Sequence, residues 1–244
     1  MNLEVLFEDN HCLAVNKPAG LLSQGDASGD PSLDELTAHY LKTRYAKPGN
    51  VYVGLLHRLD RPTSGVVLLA RTSKAASRLS AQFRGGTISK VYWAIVEGHA
   101  REQEGEWVDL LEKDAQRNRS GAVLKDSESS KEARVAFRVL ERWKSCTKLE
   151  LRPATGRSHQ LRVQLATRGS PIVGDRKYGA KSQLKAADGH FRIALHACKL
   201  SFIHPIRQEE ISVDAPVPAD WPELSTGWPE EGFDSSTPAG RSNR

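Results

Sequence analysis

The chain has 244 residues, 39% of them hydrophobic, enough for one large domain or two small ones with a real core. A formal charge of +5 with abundant arginine points toward an anionic partner, RNA or DNA being the usual candidates. Three widely spaced cysteines, Cys12, Cys146 and Cys198, give no disulfide framework and no Cys-x-x-Cys metal site. The N-terminus carries no apolar run of signal-peptide length, so a cytoplasmic protein without a membrane span is expected.

In chain order, Val5 to Phe7 and Cys12 to Val15 are apolar stretches around the turn residues Glu8-Asp9-Asn10 and predict two short strands. Lys17-Pro18-Ala19-Gly20 breaks that pattern, and Lys17 reads as a solvated lysine with, at best, a phosphate within reach. Ser32 and Glu35 have capping-box spacing, and Leu33, Leu36, Tyr40 and Leu41 recur at helical period until Pro48-Gly49. His39 falls among polar residues and is expected at the surface. The stretch His57-Arg58-Leu59-Asp60-Arg61-Pro62-Thr63-Ser64-Gly65 then leads into Val66 to Ala70, a continuous apolar run of strand length. Opposite charge beside a carboxylate favours its ionised form, and an ionised Asp suits a nucleophile better than a proton donor. An ordinary surface ion pair at a turn explains an isolated Arg-Leu-Asp-Arg equally well.

A second helix is predicted from Ser73 to Gly85-Gly86, with Ala76, Leu79 and Phe83 as its buried stripe. Lys90 to Gly98 alternates as a strand, with Val91, Trp93 and Ile95 on one face and Tyr92, Ala94 and Val96 on the other. Residues 112–131 are polar and aperiodic, and predict an exposed connection with one short strand at Ala122 to Leu124. Within it, Arg117 and Arg119 are either RNA contacts or idle. Ala133 to Val139 and Thr147 to Leu151 predict a hairpin turning between Arg142 and Cys146. In Thr155-Gly156-Arg157-Ser158-His159-Gln160-Leu161-Arg162, continuing to Ala166, Leu161 and Leu165 share a helical face beside which Arg162 can point into a cleft; a basic helix face covered by water is the plain alternative. His196, Cys198 and His204 lack a fourth ligand and lie in strand-like sequence, so packed core histidines are expected and not zinc. Glu210 to Pro218 predicts a last strand.

Three of these stretches together carry a resemblance. His57 to Gly65 followed by an apolar strand closely resembles the signature of RluA-type pseudouridine synthases, which isomerise uridine to pseudouridine in RNA. Lys90-x-Tyr92-x-Ala94-x-Val96-x-Gly98 resembles their second motif. Thr155 to Arg162, with the segment Gly169 to Gly179, resembles the third, and Asn16 to Gly20 resembles a segment that precedes the active-site loop. The resemblance implies that Asp60 is the catalytic aspartate, which either attacks the sugar or abstracts a ribose proton, that Arg162 pairs with it, and that Tyr92 lies against the target base. It also implies that Arg157 and His159 help build that wall, with Arg58, His57 and Leu161 as further RNA or base contacts. Gln164 departs from the pattern, where His is more frequent, which puts only a neighbouring contact in doubt.

The implied fold is α+β: a mixed, mostly antiparallel sheet with flanking helices around a central cleft. It is expected to form one catalytic domain over residues 1–226, without a separate N-terminal RNA-binding module and with a disordered tail at 227–244. The isomerisation has no redox step and no group transfer to another molecule, so neither cofactor nor metal is expected. The partner would be rRNA or tRNA, and the protein a monomer. Two other classes stay open. An RNA-binding relative without catalysis would be expected to lack some of the three catalytic positions, all of which are present. A hydrolase with an Asp–Arg site would need a second carboxylate, which the segment around Arg162 does not offer.

Overall fold

The computed structural model describes residues 3–186 and 188–221; the tail expected at 227–244, and the domain end expected at 226, lie outside the described residues. Strand β1 (Glu4–Glu8) turns into β2 (Cys12–Lys17). Asp9 makes that turn by accepting the backbone N–H groups of His11 and Cys12 on one carboxylate oxygen, the local bonding that suits Asp to turns. Helix α1 (Leu33–Arg44) follows; β3 (Gly54–Leu55) is short and pairs with β4 (Ser64–Ala70). Every residue of β4 is buried, as an unalternating apolar run requires when both sheet faces are covered.

Helix α2 (Ser73–Gly85) is capped by Thr72, whose hydroxyl accepts the Ala75 N–H, and it ends on Gly86 in the left-handed conformation. Of the expected stripe Leu79 is buried, while Ala76 and Phe83 are half-buried and pack against the core; Ala75, which the sequence did not single out, is buried with Leu79. Ser32 precedes α1 as expected, but its hydroxyl donates to the Asp34 and Glu35 carboxylates, so no side chain caps that helix. Helix α1 stops at Arg44, before Pro48 is reached.

Strand β5 (Ser89–Glu97) opens the second half, followed by β6 (Glu104–Asp114), β7 (Arg119–Val123), β8 (Lys131–Arg142) and β9 (Cys146–Pro153). The polar stretch 112–131 is therefore a correction: most of it belongs to a β6–β7 hairpin and to the start of β8, and the short strand begins at Arg119. Only Leu111 of β6 is buried. An edge hairpin that buries only Leu111 and Ser120 carries little alternation to read. Helix α3 (Gln160–Thr167), a short 3₁₀ turn (Arg176–Tyr178), β10 (Leu195–Ile203) and β11 (Glu210–Asp214) complete the chain.

The strands form one sheet in the order β1-β2-β4-β10-β5-β9-β8-β6-β7, with β11 also on β10. β4 and β10 run parallel, and the other pairings of named strands are antiparallel. Two large apolar cores sit along this sheet, beside a smaller cluster of Leu111, Ala133, Val163 and Tyr178. One gathers β2, β4, α1 and α2; the other gathers β5, β8, β9 and α3. Tyr92 packs against both, which puts it at the seam between them. Among the described residues, no helix is long and apolar enough to cross a membrane.

The seam leaves no room at one point. Gly65 opens β4 with φ +123°, and a Cβ built on it would lie 2.4 Å from the Ala197 carbonyl oxygen and 2.5 Å from the Ala197 nitrogen on β10. Gly65→Ala is expected to lower the unfolding free energy by at least about 3 kcal/mol. Gly121→Ala, which meets open space, is expected to change it by less than about 1 kcal/mol. Urea denaturation of both variants checks this.

Candidate active site

A cleft of about 910 Å³ opens along the seam. One wall is the loop before β4, another is the end of α2 and the start of β5, and a third is the run from Pro153 to Arg162. Asp60, Arg162, Tyr92, Arg58, His57, Arg157, His159 and Leu161 all line it. The eight residues singled out in the sequence therefore face one space.

At its centre Arg162 Nη1 donates to Asp60 Oδ2 at 2.9 Å, across 102 residues of chain. Arg162 is nearly buried, with 6% of its side chain exposed, while Asp60 keeps 29%. The remaining guanidinium edge is taken by Asp175: Nε donates to Oδ2 at 2.7 Å and Nη2 to Oδ1 at 2.8 Å. Two parallel hydrogen bonds of this kind fix the plane of the guanidinium as well as its position. Burial works against the charge on Arg162, but the Asp175 hydrogen bonds and charge, with Asp60 behind them, more than offset it and raise its pKa. The Tyr178 ring lies under the same group, 5.0 Å from its Cζ. The water-covered helix face considered for Arg162 is thus excluded: six of the eight α3 residues, Gln160 to Leu165, are buried.

His159 sits at the N-cap of α3 with φ +53°, a left-handed conformation that costs a non-glycine residue about 1–3 kcal/mol. Its Nδ1 is 2.8 Å from the Tyr178 hydroxyl, and its Nε2 is 3.8 Å from Asp60 Oδ1. The Tyr178 oxygen already accepts the Ser120 N–H, so its own proton is free for His159 Nδ1. That leaves the imidazole proton on Nε2, facing Asp60. Burial lowers the His159 pKa, and Asp60 restores part of it.

The loop carrying Asp60 is tied on several sides. Ser23 Oγ both donates to the Leu59 carbonyl and accepts the Leu59 N–H. Thr63 N–H donates to the Asp60 carbonyl, Gly20 N–H to the Arg61 carbonyl, and Ile193 N–H to the Pro62 carbonyl. Lys17 corrects the sequence reading outright. It is fully buried, and its Nζ donates to the carbonyls of Leu21 (2.8 Å), Pro18 (2.9 Å) and Arg61 (3.3 Å). Three carbonyls match the three N–H donors of an ammonium.

His57 lies on the same loop. Its Nε2 accepts the Leu68 N–H at 3.0 Å, and its ring stacks on Phe83. Burial, then Lys90, pushes its pKa down to about 3, so it enters the cleft neutral. Arg58 is exposed and reaches Gln24, and Arg157 is exposed and donates to the Glu132 carbonyl. Burial, then the Asp60 charge, raises the Tyr92 pKa, keeping its phenol neutral.

Sequence reasoning missed Asp175 and Tyr178 as members of the site, although both lie in the segment quoted for the third motif. It also passed over Lys90, Arg84 and Lys113, which line the cleft. Gln164, the departure from pattern, points away from the cleft. It donates to Asp109 and to the Ala133 carbonyl, tying α3 to β6 and β8.

The buried histidines belong to packing. His196 is bonded to Ser64 and to the Ala215 carbonyl. His204 lies with Asp9 and Cys12 within 4.8 Å, but its Nδ1 accepts the Arg207 N–H, so Nε2 carries the proton that it donates to Asp9. A protonated nitrogen has no lone pair for a metal.

The cleft thus holds one carboxylate, Asp60, among the cations Arg58, Arg84, Lys90, Lys113, Arg157 and Arg162. Fold and cleft define an α+β enzyme whose site is shaped for a polyanion. The RNA pseudouridylate synthase profile matches residues 11–167. The ribosomal large subunit pseudouridine synthase C of Vibrio cholerae is 31% identical over 88% of this chain, which spans 66% of that protein's length. The tRNA pseudouridine synthase C of Vibrio vulnificus is 34% identical over 91% of this chain and 94% of its own. Among solved structures, Human RNA Pseudouridylate Synthase Domain Containing 4 superposes with a TM-score of 0.74 at 25% identity, covering 89% of this chain and 90% of that one. The chain belongs to the RNA pseudouridylate synthase family.

Two consequences are measurable. Asp175→Asn removes the charge that neutralises a buried guanidinium and is expected to destabilise the fold by about 3 kcal/mol; Asp60→Asn, on a partly exposed group, is expected to cost about 1 kcal/mol or less. Urea unfolding of the two variants gives the comparison.

The second consequence concerns Lys17, whose pKa burial pushes down to about 7, with Asp60 raising it and Arg61 lowering it. The unfolded chain then holds this proton more tightly than the native chain from about pH 7 up to the usual lysine value. Stability should therefore rise with pH through that window, by a few kcal/mol. In Lys17→Met this contribution should vanish, which unfolding curves at about pH 6.5 and about pH 9.5 would reveal.

Proposed function

We propose that this chain isomerises particular uridines to pseudouridine in structured ribosomal or transfer RNA, with Asp60 as the nucleophile. The observation that carries the reading is the 2.9 Å contact between Asp60 and Arg162 inside a basic cleft that Tyr92 also faces, in a chain of this family. Arg162 holds Oδ2, whereas among the described residues the ion-pair partner of Oδ1 is the His159 ring, at 3.8 Å. Oδ1 is then the oxygen that attacks the ribose as the glycosidic bond breaks. The uracil turns while stacked on the Tyr92 ring, an interaction worth roughly 1–3 kcal/mol per base. Carbon 5 then bonds to the ribose, releasing Asp60, and gives up its proton to water, with the Tyr92 phenol beside the ring assisting.

Reaching the uridine requires flipping it out of its stack, which costs a few kcal/mol. Arg58, exposed at the cleft, fills the vacated space or meets phosphate. Arg157, His159, His57 and Leu161 complete the wall around the base. On this reading the protein acts as a monomer in the cytoplasm; three buried free thiols suit a reducing compartment. An RNA-binding protein without catalysis would have no use for a carboxylate in a cleft that is otherwise cationic.

Asp60→Asn is expected to lose at least about a thousandfold in pseudouridine formation while RNA affinity stays within a few-fold of wild type. Tritium release from 5-labelled uridine in rRNA and tRNA transcripts, beside filter binding of the same RNA, tests both halves. Retained turnover would overturn the nucleophile assignment.

A further inference from the structure

Lys90 is, with Arg84 and Lys113, a cleft cation that the reaction as described leaves unused. Its side chain lines the cleft, and its Nζ makes one long hydrogen bond, 3.5 Å to the Thr155 carbonyl. Among the described residues it has no carboxylate within salt-bridge distance. Burial alone accounts for its lowered pKa, with no anion pulling the other way. A cation held out of water without a counter-charge is costly to the fold. Such an arrangement is expected where an anion arrives from outside.

Position says which anion. Lys90 and Tyr92 are two apart on β5, so both side chains project from the same sheet face, roughly 7 Å apart along the strand. Tyr92 is where the uracil ring stacks on the reading above, and the separation between a uracil and the phosphate of its own nucleotide is of this order. Neighbouring His57 is kept neutral, so it does not compete with Lys90 for that phosphate.

We propose that Lys90 binds a backbone phosphate of the flipped uridine, so that one strand holds the nucleotide at two points, base on Tyr92 and phosphate on Lys90. This rests on the pseudouridine synthase reading. Lys90 is a binding residue: it touches substrate but takes no part in bond making or breaking.

The test uses the full chain with unmodified rRNA and tRNA transcripts. Lys90→Met should raise KM about tenfold with kcat within about threefold, the signature of lost uniform binding. It should flatten the slope of log Kd against log salt by about 0.7 to 1, the share of one phosphate. Lys90→Arg should recover most of both. In a synthetic stem-loop containing the target uridine, a neutral methylphosphonate at either its 5′ or its 3′ linkage should weaken wild-type binding by the same factor as Lys90→Met, and combining the two should add nothing.

An unchanged salt slope in Lys90→Met, or full additivity with both methylphosphonates, overturns the assignment. Binding and turnover are read separately. Wild-type protein that forms no pseudouridine yet shows the Lys90-dependent slope would sink the catalytic reading and leave the phosphate contact standing.

Discussion

One guanidinium organises the cleft. Arg162 is almost entirely buried, and a buried cation must be paired. Asp175 does the pairing with two hydrogen bonds, through Nε and Nη2, which leaves Nη1 for Asp60. The charge count matters. Arg162 with Asp60 alone would be a neutral pair, with the acid spent on holding the base. With Asp175 present, the three groups carry a net negative charge, and it resides on the only member that solvent and substrate can reach. Asp175 fixes the tool, and Asp60 remains available for use. The surrounding cations then supply a field that draws in a polyanion without being close enough to occupy both Asp60 oxygens.

Much of this arrangement could be read in the chain and some could not. Asp60, Tyr92 and Arg162 were legible because each lies in an ordered motif, and the fold class followed from the resemblance those motifs carry, with which alternating strands such as Ala133 to Val139 are compatible. Asp175 escaped because its contact with Arg162 depends on the chain folding back after α3, through Gly174 at φ +85°; no periodicity announces that. Lys17 was misread because its immediate neighbours look like a turn. What buries it is the Arg61 carbonyl, 44 residues away, together with Pro18 and Leu21. The β6–β7 hairpin was unreadable for the opposite reason. It buries only Leu111 and Ser120, so its strands take most of their definition from pairing with β8 and with each other.

The two apolar cores explain why the cleft lies where it does. Each half of the sheet closes over its own cluster, and the parallel contact of β4 with β10 joins them. The Asp60 loop feeds β4 from one half, while α3 brings Arg162 from the other. The ion pair therefore bridges the two clusters of one sheet, and its geometry is as precise as their junction. The close approach of Gly65 to Ala197 shows how little slack that junction has.

The ties on residues 59–63, from Lys17, Ser23, Gly20 and Ile193, carry a further implication for how targets are chosen. A loop bonded on so many sides does not mould itself to its guest. Whatever distortion the encounter demands falls on the nucleic acid, and the energetic toll varies with how firmly each nucleotide is stacked and paired. Discrimination among uridines would then reside partly in the pliability of the RNA itself, with bulges and loose loops favoured over rigid helices even where the protein reads no neighbouring letter.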